Sequence, residues 1–416
     1  MTQRPTRTIL ANLVNEIMAD VPSDAYRRAM AVVTPRKLWQ AYPGDCVVML
    51  APCSSAFRDY VAATLDLDVG QIEIIAPAEV RGVHAIDVVR ELGAMQRIAS
   101  RPELSPFVLD SQVLDFSCLT GVRILPYTSL PTASTLEALR LINTKRGFRE
   151  IAVALGLHVA NGGYARTSDE LTFSLKRFLR DHSAAIIKTN RASNGYGNIV
   201  IRSSSNNEID EQVKKAIASQ PNRDCGWVYE EYLPFVGTPS IEMSIDDTGA
   251  SIFYICDQRT VNNAWTGMVT PAEPGPLYPK LVEAGTALGN WLHARGYRGI
   301  FDVDSGAYDG GFVVTEANVR RTGGTYLEEL ARRLHPGQSP THWRADVRPG
   351  GRRMNFAEAV DALKAAGLSA RGAEARAVLT ADTFDIEGKW RYVVVGRSAD
   401  VVAEFERATQ KILGIQ

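Results

Sequence analysis

The stretches Phe301-Asp-Val-Asp304 and Thr315-Glu-Ala-Asn-Val-Arg-Arg-Thr-Gly-Gly-Thr325 are the most informative part of this chain. Residues i, i+2 and i+4 of an extended strand point to the same face, so Glu316, Asn318 and Arg320 would project together. Carboxylate and amide oxygens are hard ligands that suit Mg²⁺, with substrate phosphates completing its shell. An arginine beside them offers a fork for a phosphate or acyl-phosphate oxygen. The two stretches therefore predict a magnesium–nucleotide site built for phosphoryl chemistry.

Length and composition exclude several classes of protein. The chain has 416 residues, too many for one compact core, and two or three domains are expected. Its net charge is -1, which gives nucleic-acid binding no support, and its apolar runs are far shorter than a membrane span. The N-terminus shows no secretory signal, and the five cysteines include no C-x-x-C pair. We therefore expect a reduced cytoplasmic protein with no nucleic-acid or membrane partner.

The first region, residues 1–130, alternates helical and short apolar segments. Such alternation predicts a parallel sheet in an α/β layer. The predicted strands are Asp45–Leu50, Gln71–Ala76 and Gly121–Leu125, and the predicted helices are Asp24–Ala31 and Ala56–Leu65. No glycine-rich phosphate-binding motif occurs here. We interpret the region as a scaffold domain that also offers part of a substrate pocket. Its apolar N-terminal helices are a candidate homodimer interface.

Two further regions follow. Residues 131–345 form the predicted central domain, in which Thr167-x-x-Glu170 is typical of a helix capping box. The apolar pairs around Ile187 and Val200 predict a hairpin with a glycine-bearing tip. The proline- and glycine-rich residues 336–353 are interpreted as a linker. Residues 354–416 predict a small C-terminal α/β domain, with helices at 356–366 and 400–412 and strands at 376–379 and 390–395.

Several charged or glycine-bearing positions precede the two opening stretches in a fixed order. Taken alone, most have ordinary explanations: Lys145 and Glu242 as exposed charges, Arg259 as a salt-bridge partner, and Asn194-Gly195 as a hairpin turn. Glycine lets backbone amides approach phosphate oxygens closely, and lysine offers a compact charge to a polyphosphate. The order and spacing of the whole set favour a functional interpretation over the ordinary explanation of each member.

This order resembles the ATP-grasp superfamily over about residues 130 to 335. The resemblance implies an α/β chain with an ATP-grasp fold, an N-terminal α/β pre-ATP-grasp domain and a small C-terminal α/β unit. It also implies ATP and Mg²⁺ as cofactors. The implied nucleotide contacts are Lys145 and Lys188 on the phosphates, Ser193, Asn194, Gly195 and Gly197 in a loop over the triphosphate, Glu230, Glu231, Tyr232 and Leu233 at the adenine edge, and Glu242 near the ribose.

The resemblance also implies metal ligands and catalytic residues. The implied metal ligands are Asp302, Glu316 and Asn318. Arg320 matches an arginine near the transferred phosphoryl group, and Arg259 is a weaker candidate for a phosphate contact. The residues that follow the metal strand are candidates for holding a substrate carboxylate: Arg321, Thr322, Gly323 and Gly324.

Within the superfamily, the layout resembles the pheganomycin-type peptide ligases of bacterial peptide biosynthesis. That resemblance implies an ADP-forming ligase that activates an N-blocked acid, such as a guanidino acid, as an acyl phosphate. The amine of a peptide would then attack to form an amide, as in the biosynthesis of peptide antibiotics. Two alternatives stay open: another ATP-grasp phosphoryl-transfer enzyme, and a protein that binds ATP without catalysis.

Overall fold

A computed structural model of the chain describes residues 4–19, 23–191, 198–202, 205–218, 226–261, 264–272, 275–351 and 353–415. Within those ranges the strands form three sheets, one parallel and two antiparallel. Along the chain, helices alternate with the strands of the first sheet, and further helices pack against the second and third sheets. The structure is therefore mixed α/β, as the sequence predicts.

The first sheet is parallel, with the strand order β3-β2-β1-β4-β5. Its strands are β1 (Arg7–Leu10), β2 (Cys46–Val48), β3 (Glu73–Ile75), β4 (Glu103–Pro106) and β5 (Arg123–Ile124). Its helices are α1 (Asp24–Val32), α2 (Ser55–Leu65), α3 (Ala85–Glu91), α4 (Met95–Ala99) and α5 (Ser111–Thr120), with 3-10 helices at Thr34–Gln40 and Val69–Gln71. The three predicted strands and two predicted helices are confirmed, whereas β1 and β4 were not predicted.

The second sheet is antiparallel, with the order β6-β9-β7-β8. Its strands are β6 (Gly162–Ala165), β7 (Ala184–Thr189), β8 (Ile199–Arg202) and β9 (Trp227–Glu231), and the helices of this part are α6 (Ala133–Ile142), α7 (Lys145–Ala154), α8 (Ser168–Phe178) and α9 (Asn206–Ala218). The β7–β8 pair confirms the predicted hairpin, with Ile187 opposite Ile199. The capping box of Thr167 and Glu170 is also present.

The third sheet has eight antiparallel strands in the order β14-β13-β10-β11-β12-β15-β17-β16. They are β10 (Pro239–Asp246), β11 (Gly249–Val261), β12 (Ala264–Thr270), β13 (Gly299–Tyr308), β14 (Gly311–Asn318), β15 (His342–Pro349), β16 (Ala375–Leu379) and β17 (Lys389–Gly396). Its helices are α10 (Tyr278–Ala294), α11 (Thr325–Leu334), α12 (Phe356–Ala365), α13 (Phe384–Glu387) and α14 (Ala399–Leu413), with a 3-10 helix at Gly275–Leu277.

The linker predicted for residues 336–353 is wrong in its central part. Residues 342–349 form β15, which pairs with β12 on one side and β17 on the other. The predicted C-terminal helices and strands are confirmed, but their strands extend the third sheet. The predicted boundary at residue 345 falls inside β15, and the division into three domains stays a prediction.

Candidate active site

The alternation of residues along β13 places two aspartates on one face of the third sheet. Phe301 and Val303 are fully buried in a core shared with the first sheet. Because successive strand residues point to opposite faces, Asp302 and Asp304 project from the other face. The burial of the apolar pair thus orients the acidic pair.

The pairing of β13 with β14 brings the predicted metal ligands together. Asp302 lies opposite Asn318, and Asp304 lies opposite Glu316. Directly opposite residues of an antiparallel pair share a face and lie close together. The side-chain amide nitrogen of Asn318 donates to Asp304 Oδ2 at 3.2 Å, and its backbone N–H donates to Asp302 Oδ1 at 3.0 Å. The structure therefore adds Asp304 to the predicted set.

The polar row continues across two more strands. Glu242 on β10 lies opposite Asp302, and Tyr254 on β11 lies opposite Glu242. Next to this row, Ser240 lies opposite Asp304, and the side-chain amide of Gln258 donates to the Asp304 carboxylate. Four strands thus present a polar face with closely spaced carboxylates.

These carboxylates have strongly perturbed acidities. Burial raises the pKa of Asp302 to about 7, and the nearby Glu242 carboxylate acts in the same direction. Desolvation, together with Asp302 and Glu316, raises the pKa of Asp304 well above its usual value. Such shifts favour a bound cation at the face, because a cation offsets the repulsion between carboxylates.

Glu316 differs because it has basic neighbours. Desolvation alone would raise the pKa of Glu316, but Lys145, Lys188 and Arg320 outweigh it and lower the pKa. Lys145 Nζ donates to Glu316 Oε2 at 2.5 Å. Lys145 is the first residue of α7, whose N-terminus is attached to the end of β7 by a bond from Lys145 N to Asn190 O at 2.8 Å. The N-terminus of α7 therefore places the Lys145 amine against β14.

The donor set suits a hard divalent cation. Asp302, Glu316 and Asn318 supply only oxygen ligands, which is the chemistry that Mg²⁺ prefers. In the part of the chain that the structure describes, no group of three or more His, Cys, Asp or Glu side chains is arranged to hold a metal ion. The predicted set has two carboxylates and one amide, and Asp304 lies beside it.

Lys188 is placed on the second sheet beside a carboxylate. It is 9% exposed, and its Nζ donates to Glu230 Oε2 at 2.5 Å. Arg149 Nη1 reaches the other oxygen of Glu230 at 3.2 Å. Because Lys188 also lowers the pKa of Glu316, both predicted lysines act on the same region.

The predicted adenine hinge lies at the end of β9. Within it, the backbone N–H of Glu231 donates to Asn161 O at 2.7 Å, and that of Tyr232 donates to Ala184 O at 3.1 Å. These two donors are thus used inside the protein, while Leu233 follows shortly after the strand. The nucleotide contacts at Glu230, Glu231, Tyr232 and Leu233 stay predictions.

Glu242 is the most enclosed residue of the row, with 1% exposure. Its carboxylate accepts hydrogen bonds from Tyr254 at 2.9 Å, Thr322 at 2.6 Å and Thr325 at 2.5 Å. Burial raises its pKa to about 7. Both oxygens are engaged in holding the turn of residues 322–325, and the ribose contact predicted from the sequence stays a prediction.

That turn also depends on a glycine. A Cβ built on Gly324 would lie 1.9 Å from the Tyr254 hydroxyl oxygen and 2.7 Å from Met268 Sδ. Only glycine therefore allows the turn to pack this closely on β11 and β12. Thr322 and Gly324, predicted to hold a substrate carboxylate, lie here beside Arg321 and Gly323, and that role stays a prediction.

Arg320 lies among the predicted catalytic groups. Its Nη1 donates to Asn143 Oδ1 at 3.4 Å, and its buried Nε has no hydrogen-bond partner among the described residues. A small cavity of about 20 Å³ is lined by residues that include Asn143, Lys145, Glu316, Asn318 and Arg320. The structure thus brings four predicted site residues to one cavity.

Arg259 lies elsewhere on the sheet, in a cluster of ion pairs. Its guanidinium pairs with Glu406 of α14 and with Asp346 of β15, the latter at 3.3 Å. The salt-bridge interpretation of Arg259 is therefore what the structure shows, and its phosphate contact stays a prediction. The predicted loop residues Ser193, Asn194, Gly195 and Gly197 lie outside the described residues.

Comparison with known proteins supports the fold. Residues 34–122 match the family model of the pre ATP-grasp domain. No curated protein matches the chain at a significant level of sequence similarity. Biotin carboxylase from Campylobacter jejuni, solved as a β-γ-ATP complex, superimposes with a TM-score of 0.63 at 13% identity, covering 99% of this chain and 92% of that chain.

A second group of solved structures has nearly the same length. N5-carboxyaminoimidazole ribonucleotide synthetase from Thermus thermophilus superimposes with a TM-score of 0.59 at 13% identity, covering 99% of both chains. The Staphylococcus aureus N5-carboxyaminoimidazole synthetase, complexed with ADP, gives 0.58 at 13% identity over 98% of this chain and 97% of that chain. This chain has an ATP-grasp fold. The predicted fold class is confirmed. Among the described residues, no helix has the length and apolar character needed to cross a membrane.

Proposed function

We propose that the protein is an ADP-forming ligase that activates a carboxylate as an acyl phosphate and joins it to an amine. One observation carries the proposal: Lys145, Glu316, Asn318 and Arg320 line the same cavity. A polyphosphate needs basic groups, a metal site and an arginine at the transferred group, and the side chains around this cavity are of the types that would supply them.

ATP and Mg²⁺ are the proposed cofactors. Asp302, Glu316 and Asn318 would hold the metal, which when bound neutralises charge on phosphate oxygens. Solved structures with a similar fold support the choice of ATP as the nucleotide, because the Campylobacter jejuni biotin carboxylase contains an ATP form and the Staphylococcus aureus synthetase contains ADP. The ion pairs of Lys145 with Glu316 and of Lys188 with Glu230 would then open, so that both ammonium groups bind phosphate oxygens.

The chemistry has two steps. An oxygen of the acid substrate attacks the γ-phosphorus of ATP, and the bond to the β-phosphate oxygen breaks to release ADP. The amine nitrogen then attacks the carbonyl carbon of the acyl phosphate, inorganic phosphate leaves, and the nitrogen loses a proton. Arg320 stabilises the negative charge that develops in both steps, because its guanidinium lies beside Glu316 and Asn318 in the cavity.

The narrower proposal is a peptide ligase of bacterial natural-product biosynthesis. It takes an N-blocked acid, such as a guanidino acid, and the α-amine of a peptide. Its support is the resemblance to pheganomycin-type ligases of the opening stretches and of the layout, with an N-terminal α/β region and a short C-terminal α/β unit. That resemblance would extend over nearly the whole chain.

The test measures phosphate and ADP release with Mg-ATP against N-blocked amino acids, each with and without a short peptide. Product masses are read in parallel. Release that requires both partners, with a product mass equal to their sum less water, supports the peptide ligase. Release with the acid alone indicates another phosphoryl-transfer enzyme, and tight ATP binding without release indicates a non-catalytic binder.

A further inference from the structure

Lys37 is a buried lysine without a hydrogen-bond acceptor among the described residues. It lies in the 3-10 helix Thr34–Gln40, is 1% exposed, and its Nζ has no partner. Aromatic rings surround it instead: Nζ lies 4.4 Å from the ring centroid of Phe107 and 5.8 Å from that of Tyr326. An ammonium group has three donors, and ring faces replace lost hydration only in part. Burial of this amine therefore costs free energy that its contacts do not fully offset.

The charges around Lys37 are unbalanced. Arg36 and Arg321 are its basic neighbours, and Glu329 and Glu242 are its acidic ones. Glu329 already accepts hydrogen bonds from Arg321 Nη1 at 2.7 Å and from the side-chain amide of Gln40. Glu242 is engaged by three hydroxyl groups, as described above. Three basic groups thus face two carboxylates that are already in use.

Arg36 shows a smaller deficit, confined to one nitrogen. Its guanidinium lies 5.2 Å from the ring centroid of Tyr326, and its buried Nε has no hydrogen-bond partner within the described ranges. Arg36 and Lys37 are thus adjacent residues that each leave a buried nitrogen without a hydrogen-bond acceptor near the Tyr326 ring.

The position of Lys37 fits a ligand. Phe107 follows β4 directly, and its carbonyl accepts the backbone N–H of Arg321 at 3.1 Å, which joins this edge to the turn after Arg320. The strand order of the first sheet reverses between β1 and β4. Ligands of open α/β sheets bind outside the carboxyl ends of the strands at such a reversal. Phe107, whose ring faces the Lys37 amine, thus joins the usual position of a ligand crevice to the turn after Arg320.

We propose that Lys37 contacts substrate, its amine binding a carboxylate with the support of Arg36 and Arg321. The identity of that carboxylate rests on the proposed function: it belongs to the acid to be activated or to the C-terminus of the peptide. The need for an anion rests on the contacts of Lys37 alone. A purely structural lysine would make hydrogen bonds that this one does not make.

The acidity of Lys37 would respond to a bound carboxylate. Burial lowers the pKa of its amine well below the usual value, and Arg36 and Arg321 lower it further. A carboxylate bound beside the amine would oppose these effects and form a charge-assisted hydrogen bond.

The test compares Lys37→Met with the wild-type protein by thermal unfolding and by titration with simple carboxylates. Methionine keeps the length and apolar contacts of the side chain while removing the amine. Lys364→Met, which removes an exposed lysine of α12, is the matched control. The probes are N-acetylglycine for the acid and glycylglycine for the peptide, each paired with its uncharged C-terminal amide, with and without Mg-ADP.

We expect at least one carboxylate, and not its amide, to raise the unfolding temperature of the wild type and of Lys364→Met. Binding to Lys37→Met should be about 10- to 100-fold weaker, the factor that a hydrogen bond to a charged group provides. Without ligand, Lys37→Met should unfold at the wild-type temperature or above it, because an uncompensated buried amine is removed. The responding probe identifies which substrate supplies the carboxylate.

Two results would overturn the inference: no carboxylate response in the wild type, or an equal response in Lys37→Met. If the methionine variant fails to fold, Lys37→Gln, which keeps a polar end without charge, is compared in the same way. Absence of stabilisation by Mg-ADP in the wild type would count against the proposed function instead. The titration without nucleotide would still decide the role of Lys37.

Discussion

At the scale of single residues, the site depends on which face of a strand each side chain occupies. Asp302 and Asp304 share a face because Phe301 and Val303 are buried on the other. The sequence was sufficient to predict that Glu316 and Asn318 lie together. It did not identify Asp304, although the same two-residue spacing contained the signal, because the partner strand and its register are tertiary properties.

Glu316→Gln should abolish ligase turnover with the fold retained. The change removes a proposed charged metal ligand and the partner of Lys145, and Glu316 is not one of the buried apolar residues of the core. We expect ADP release to fall by about 100-fold or more, as for the loss of a group that stabilises a transition state. Glu283→Gln on the exposed side of α10 is the control, and thermal unfolding checks the fold. Normal turnover in Glu316→Gln would show that the metal assignment is wrong.

Asp304→Asn should weaken the dependence of the reaction on magnesium. Asp304 lies opposite Glu316 and accepts a hydrogen bond from Asn318, so it orients two predicted ligands. Groups of this kind contribute about 10- to 100-fold in metal affinity. The measurement is the magnesium concentration that gives half-maximal ADP release, with the exposed Asp309→Asn as the control. An unchanged value would exclude Asp304 from the site.

At the scale of elements, the second and third sheets carry different parts of the candidate site. The β7–β8 hairpin and α8 were predictable because apolar periodicity and the capping box of Thr167 are local signals. β15 was not predictable, since His342-Trp-Arg-Ala-Asp-Val-Arg-Pro349 contains charged residues and is flanked by glycine and proline. Its charges are tolerated because Asp346 pairs with Arg259 and Arg348. Tertiary ion pairs thus override the local pattern.

Lys188→Met tests whether the second sheet contributes a lysine to the binding of the ATP phosphates. The lysine lies on β7 with its amine on Glu230, and methionine keeps its buried apolar contacts. We expect the dissociation constant of Mg-ATP to rise by about tenfold or more, the factor for a lost hydrogen bond to a charged group. Calorimetric titration measures it, and the exposed Lys215→Met on α9 is the control. Equal affinity in both variants would count against the phosphate contact.

Arg259→Met tests whether the arginine holds α14 on the third sheet. Its loss leaves Glu406, whose side chain is 5% exposed, without its main basic partner. We expect the free energy of unfolding to fall by about 1–3 kcal/mol, the usual cost of an unsatisfied buried group. Urea denaturation of Arg259→Met, Glu406→Gln and the double variant gives the coupling between them. A loss of turnover without a loss of stability would favour the predicted phosphate contact.

At the scale of the whole molecule, the fold class followed from the sequence, and the arrangement of its parts did not. Alternating segments predicted the parallel sheet, but the eight-stranded sheet joins residues 239–318 to residues 342–396 through pairings distant in sequence. The first region also contacts both of these parts. It shares a core with β10 and β13, and Trp39 Nε1 donates to Thr380 O at 3.0 Å near the C-terminal strands.

The attachment of the first region to the C-terminal strands has a consequence for recombination between proteins of this fold. Besides Trp39, the Tyr60 hydroxyl accepts the backbone N–H of Leu379 at 3.1 Å, and Arg376 donates to Thr64 O at 3.1 Å. An exchange of the first 130 residues alone would break these contacts and leave an apolar surface on β16 and β17 without its matched partner. Chimeras that transplant the first region and the C-terminal strands together keep the contacts between these two parts. We therefore expect the two ends of the chain to be exchangeable as a pair and not singly.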